Sequence, residues 1–227
     1  MIASFSLAIS QLNEKPLQKP LWIGLVGAVI LFLVLWSTVG YILLQTELLS
    51  TGWFFGIFDW IFVKLTNIFG NAIVFFITWF LFPTIVTLII TFFLEPVIQA
   101  VEQKHYPNLP KTRQQGLLKI CIITLRFATL SIILNILVIP LYLVFFFLGP
   151  FNLIIFYLLN GYLFGRDYFE LVSHRRQEPN KVRGLYRNSR LKIFMAGIII
   201  TFLMTIPIIN LMAPIISTAA MVHILNK

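Results

Sequence analysis

The chain has 227 residues, of which 59% are hydrophobic and only 11% charged, and its mean hydropathy is +0.93. That balance excludes an ordinary soluble domain and points to an integral membrane protein; at this length a single membrane domain is expected, with no separate catalytic domain. The net charge of +9 sits mainly in the connections between apolar stretches, so it reads as membrane topology, and no nucleic-acid-reading module accompanies it.

Residues 1–19 place Ile2, Phe5, Ile9 and Leu12 at helical spacing among Ser4, Ser6 and Gln11, which predicts a short amphipathic helix on the membrane surface. Glu14, Lys15 and Lys19 follow this mildly apolar start, so no cleaved signal peptide is expected. Residues 21–44 are uncharged, with Trp22 near one end and Tyr41 near the other, and predict a full transmembrane helix with aromatic anchors. Gly52, Gly56, Asp59 and Lys64 interrupt the Trp- and Phe-rich segment 47–67, which reads as interfacial or periplasmic. A second full span is expected over 70–94, bent at Pro83. Residues 95–116, with Pro107 and Pro110, read as a polar cytoplasmic loop.

From Leu117 the chain runs apolar to Leu148, about 32 residues, too long for one ordinary span. Pro140 and Pro150 divide it from the next apolar stretch, and segment 117–165 is expected to enter the bilayer and return as a helical hairpin. Residues 166–192 form a basic cytoplasmic segment in which Arg166 and Glu170 stand one turn apart. The last apolar stretch, 193–225, carries Pro207, Asn210 and Pro214 near its middle. Neither half reaches the roughly 20 residues a span requires, so the spacing predicts a re-entrant hairpin with a polar elbow at Asn210. The fold class is therefore an all-α integral membrane protein with two full transmembrane helices and two proline-broken, half-penetrating hairpins. By the positive-inside rule the basic regions and both termini are cytoplasmic.

Few side chains offer chemistry. Arg126 is set inside an apolar segment, where arginine costs about 2.5 to 3.5 kcal/mol on insertion scales; it reads either as an anion contact in a wet path or as a snorkelling group. Asn135 and Asn210 are pore-lining donors or helix glue. Gly161 and Gly165 are spaced for close helix packing. Cys121 is alone, and His105, His174 and His223 lie in separate segments, so no disulfide, metal site, cofactor or catalytic constellation is expected.

Three stretches carry a family resemblance: Asn160-Gly161-Tyr162-Leu163-Phe164-Gly165-Arg166-Asp167-Tyr168-Phe169-Glu170, Arg175-Arg176, and Pro207-Ile208-Ile209-Asn210-Leu211-Met212-Ala213-Pro214. Through them the chain resembles a bacterial member of the CysZ sulfate-transporter family, which also includes the eukaryotic etoposide-induced membrane protein. The resemblance implies two long transmembrane helices with two pairs of half-penetrating helices, and sulfate uptake for cysteine synthesis through a homo-oligomer in the inner membrane. Where that branch carries a Gly-Leu-Arg type sulfate motif, this chain has Pro16-Leu17-Gln18-Lys19, with Lys19 as the basic group. The expected function is an inner-membrane permease for sulfate or a similar small anion, with Lys15, Lys19, Arg126, Asn135 and Asn210 as anion-binding candidates. The rival is a scaffold that binds membrane lipids or a soluble partner through its basic segment.

Overall fold

A computed structural model of the chain describes residues 1–45, 76, 82, 85–110, 112, 117–145 and 149–226. All regular structure among them is helical: α1 (Ile2–Ser10), a 3-10 turn (Gln11–Asn13), α2 (Lys15–Gln45), α3 (Ile85–Thr91), α4 (Leu94–His105), α5 (Leu117–Val144), α6 (Pro150–Ser173), α7 (Pro179–Thr205) and α8 (Pro207–Leu225). Segments Lys15–Thr38, Leu125–Val144 and Asn180–Thr205 are long and apolar enough to cross a membrane, and α3 with α4 makes a fourth if that broken pair counts as one. The all-α membrane class read from composition therefore stands. The interfacial segment 47–67 and most of the span 70–94 lie outside the described residues.

Two compact units divide the chain, Lys19–Phe92 and Met1–Gln18 with Phe93–Lys227. In the first, α2 and α3 meet at glycines. A Cβ on Gly24 would stand 2.7 Å from Cγ1 of Ile90, and one on Gly27 would stand 3.1 Å from Cδ1 of Ile89. Small residues here let the two helices approach without a hydrophobic driving force, which lipid does not supply.

The second unit is built around α8. Ala213 to His223 is buried without interruption, and α8 packs against α1, α4, α6 and α7. Antiparallel pairing of α6 and α7 follows from matched partners. Tyr157 meets Thr205 at 3.1 Å, Gly161 lies against Ile198, Gly165 against Ile193, and the rings of Phe169 and Tyr186 are 5.5 Å apart. A Cβ on Gly197 would collide with the carbonyl of Gly161, so this glycine permits the backbone approach that Gly161 and Gly165 only half explain.

Several boundaries differ from the expected ones. Segment 95–116 begins as helix, because Val97, Ile98, Val101 and Glu102 share one buried face of α4, and Pro96 in the first turn loses no helical bond. Pro140 rides inside α5, which continues to Val144, and Pro150 opens α6. In the last stretch the break falls at Ile206, held extended with φ −90° and ψ 115° ahead of Pro207. Proline disfavours helical geometry in the residue before it and is tolerated at a helix start. Asn210 and Pro214 therefore sit inside α8, and the expected elbow at Asn210 is displaced by four residues. The basic segment 166–192 is likewise divided, its first part ending α6 and its second beginning α7, which kinks at Ser189 (φ −117°, ψ 16°). Finally, α1 buries Ser4, Phe5 and Ala8 against α8, while Ile2 and Ile9 stay exposed.

Candidate functional site

The ends of α4, α6 and α8 and the turn after α1 converge on one polar cluster. Its first half is a chain of uncharged groups. Gln11 ends the small-residue face Ser4, Ala8, Gln11, spaced to lie on one side of a helix and buried against α8. The Gln11 amide Nε2 lies 2.6 Å from Nε2 of His105, and its Oε1 lies 3.3 Å from Nε2 of His223. Nδ1 of His223 in turn lies 3.0 Å from the Tyr106 hydroxyl. A neutral imidazole donates from one nitrogen and accepts at the other. One polarity satisfies every link: Tyr106 donates to His223, His223 to Gln11, and Gln11 to His105. His223 is fully buried, and its ring stands edge-on to His105 with centroids 5.2 Å apart.

The second half is ionic. Glu102, only 3% exposed, accepts two hydrogen bonds from Arg176, at 2.9 and 2.6 Å. Nη1 of Arg175 stands 3.5 Å from the same carboxylate, and its Nε stands 3.0 Å from Glu95. The forked contact is the strong form of an arginine–carboxylate pair. The hydrogen bonds it donates to Glu102 hold the Arg176 guanidinium above its ordinary pKa. Lys104 adds an exposed bridge to Glu14 at 2.8 Å.

These contacts establish how the last two helices run. Glu102 and Tyr106 are one turn apart at the end of α4; the former holds Arg176, just ahead of α7, and the latter holds His223, near the end of α8. The chain therefore leaves this cluster along α7 and returns to it along α8. The apolar part of α7, 193–205, covers about 20 Å at 1.5 Å per residue, against about 30 Å of hydrocarbon.

The residues nominated from sequence fall elsewhere. Lys15 and Lys19 are exposed at the start of α2, and Arg126 is exposed on α5. Asn135 is exposed and donates to the carbonyl of Ser131 in its own helix, at 2.8 Å. Asn210 is half-buried in the first turns of α8, its backbone N–H donating to the Ile206 carbonyl at 2.7 Å. Among the described residues, no contact gathers Lys15, Arg126, Asn135 and Asn210 into one site. The motif residues do cooperate: Arg166 donates to Glu170 at 2.7 Å and to the Tyr162 hydroxyl at 3.1 Å, and lies 5.9 Å from the Tyr186 ring centre. Asn160 bonds its own helix at Phe156, and Tyr168 is buried. Sequence reasoning did not single out Glu102 or Tyr106, and it read Gln11 as a surface-helix polar position and His105 and His223 as lying in separate segments, whereas the fold brings these three together. The lone polar positions at the edges of small or apolar helix faces, Gln11 after Ala8 and Glu102 after Val101, were the available signal. Among the described residues, no three His, Cys, Asp or Glu side chains gather as a metal site.

The family model described as "Sulfate transporter CysZ/Etoposide-induced protein 2.4" matches residues 5–214. The chain belongs to that family. No curated protein and no solved structure matches it. For a CysZ-family chain the match begins within α1 and runs past the Ile206 break, so it takes in Gln11, Glu102, Tyr106, Arg175 and Arg176 as well as the resemblance motifs. His223 lies beyond it.

Proposed function

We propose that this protein passes sulfate, or a similar small anion, across the inner membrane and so supplies cysteine biosynthesis. The observation that carries the reading is the family match over residues 5–214. Two features of the fold support it. The break at Ile206 stands between α7 and α8; were that pair to dip into the bilayer and return, the start of α8 would lie at depth, where the first amides of a helix lack intrahelical partners and the dipole favours an anion. Arg126 stands exposed on a candidate span none of which is buried within the chain, so it requires water, an anion or a neighbouring protomer. A homo-oligomer joined through α5 would meet that requirement. Lys15 and Lys19, exposed at the entrance to α2, would attract the anion from the cytoplasmic side, on which both termini would lie. Binding at each station must stay weak enough for release.

The test is radiolabelled sulfate uptake into proteoliposomes holding folded protein, compared with empty vesicles. Uptake above the empty-vesicle level, reduced by competing anions, is expected; uptake equal to it removes the transport reading.

A further inference from the structure

The basic residues from Arg166 to Lys192 look like one cluster in sequence, but the fold separates them into two kinds. Arg166, Arg175 and Arg176 are committed to carboxylates of the same chain, Glu170, Glu95 and Glu102. Lys181, Arg183, Arg187, Arg190 and Lys192 are all exposed, and none has a carboxylate partner among the described residues. No acidic residue follows Glu178. Val182, Tyr186 and Ile193 turn the other side of α7 inward, with Tyr186 against Phe169.

We propose that this outward face of α7 binds the headgroups of anionic phospholipids. Cations crowded along the first half of α7 repel one another, and Lys181, in its first turn, also opposes the helix dipole; this arrangement is relieved by a dense layer of phosphates. The apolar neighbours specify a membrane source. Leu191 is 73% exposed between Arg190 and Lys192, and one and three turns further on Met195 and Phe202 are 41% and 54% exposed on the same helix face. A face that changes from arginine to bare leucine, methionine and phenylalanine matches the boundary between headgroups and acyl chains. A nucleic acid or an acidic peptide would satisfy the charges and leave those side chains in water. Arg183, Arg187 and Arg190 are spaced at successive turns, and their planar forks suit phosphate oxygens better than ammonium groups would.

The test uses the full-length protein purified in a neutral detergent. Phosphatidylglycerol and phosphatidylcholine are titrated separately, and bound lipid is counted by native mass spectrometry. Selective retention of phosphatidylglycerol is expected, weakened by salt. Each cation removed should lower the affinity about fivefold, so R183Q/R187Q/R190Q should lose on the order of a hundredfold, while K104Q keeps the wild-type affinity. An unchanged melting temperature without lipid certifies the triple variant as folded; if it is lowered, the single variants R183Q, R187Q and R190Q are measured instead. Equal retention of both lipids, or undiminished phosphatidylglycerol binding by folded variants, overturns the proposal. So does full competition by inorganic phosphate or by an oligonucleotide at matched charge concentration. The readout is lipid binding, so its outcome is independent of whether sulfate is transported.

Discussion

The hydroxyl of Tyr106 lies 3.0 Å from Nδ1 of His223, joining residues 117 positions apart in the chain. Through it the last turn of α8 is fastened to the end of α4. Through Gln11, the same histidine reaches the turn after α1. Three segments distant in sequence thus share one hydrogen-bonded chain, and the helix that carries His223 is the most enclosed of the unit.

Tyr106→Phe removes the hydroxyl that bonds Nδ1 of buried His223, which should cost about 1–3 kcal/mol. Gln11→Ala breaks the next link. Because both changes act on one imidazole, their effects should not add, with a coupling of at least about 0.5 kcal/mol. Denaturation of both single variants and the double variant in detergent measures it; strict additivity would contradict the shared chain.

Glu102→Ala should be the more damaging of two acid removals. It takes from Arg176 the carboxylate it forks onto and from Arg175 one of two, at side chains 16% and 9% exposed, and breaking such a buried pair costs about 3–5 kcal/mol. Glu14→Ala removes only an exposed bridge to Lys104, for which about 0–1 kcal/mol is expected. Melting temperatures of the two variants in the same detergent decide the order.

Glycines in α7 should respond in opposite directions. A side chain at Gly197 meets the backbone of Gly161 and Gly165, which cannot move aside cheaply, so Gly197→Ala should separate α6 from α7 and lower stability by about 1–3 kcal/mol. Gly184 has open space around its Cβ position, and Gly184→Ala should stabilise the helix by about 0.5–1 kcal/mol. Thermal shift assays on the pair are sufficient.

The return of α8 to the start of α7 predicts a topology. With Cys121 replaced by alanine, cysteines introduced at Asn180 and Asn226 should react with a membrane-impermeant thiol reagent from the same side of intact vesicles. Labelling from opposite sides would contradict the contacts of Arg176 and His223 with α4.

Arg126→Gln should lower sulfate uptake about tenfold or more while leaving the melting temperature nearly unchanged, since Arg126 is exposed and makes no ion pair among the described residues. Uptake at the wild-type rate would remove Arg126 from the anion path.

Much of this architecture was legible in one dimension. Helix-forming apolar runs, the turn before Pro150, the break ahead of Pro207, the Arg166–Glu170 pair and the close helix approach at Gly161 and Gly165 all follow from residues within a few positions of one another. Bilayer thickness and proline sterics act over that same short range. Misplaced boundaries arose where local signals competed. Segment 95–116 looked polar, but a single buried face of Val97, Ile98 and Val101 is enough to hold a helix. Pro214 looked like a break, yet it lies enclosed in an α8 buried from Ala213 to His223, where packing outweighs propensity. The meeting of Gln11 with His223, 212 positions away, and the choice of which arginines face carboxylates and which face outward were decided only by the tertiary structure. Helix formation depends on neighbours in sequence, whereas the partner of a buried polar group depends on where the whole chain path brings a matching donor or acceptor.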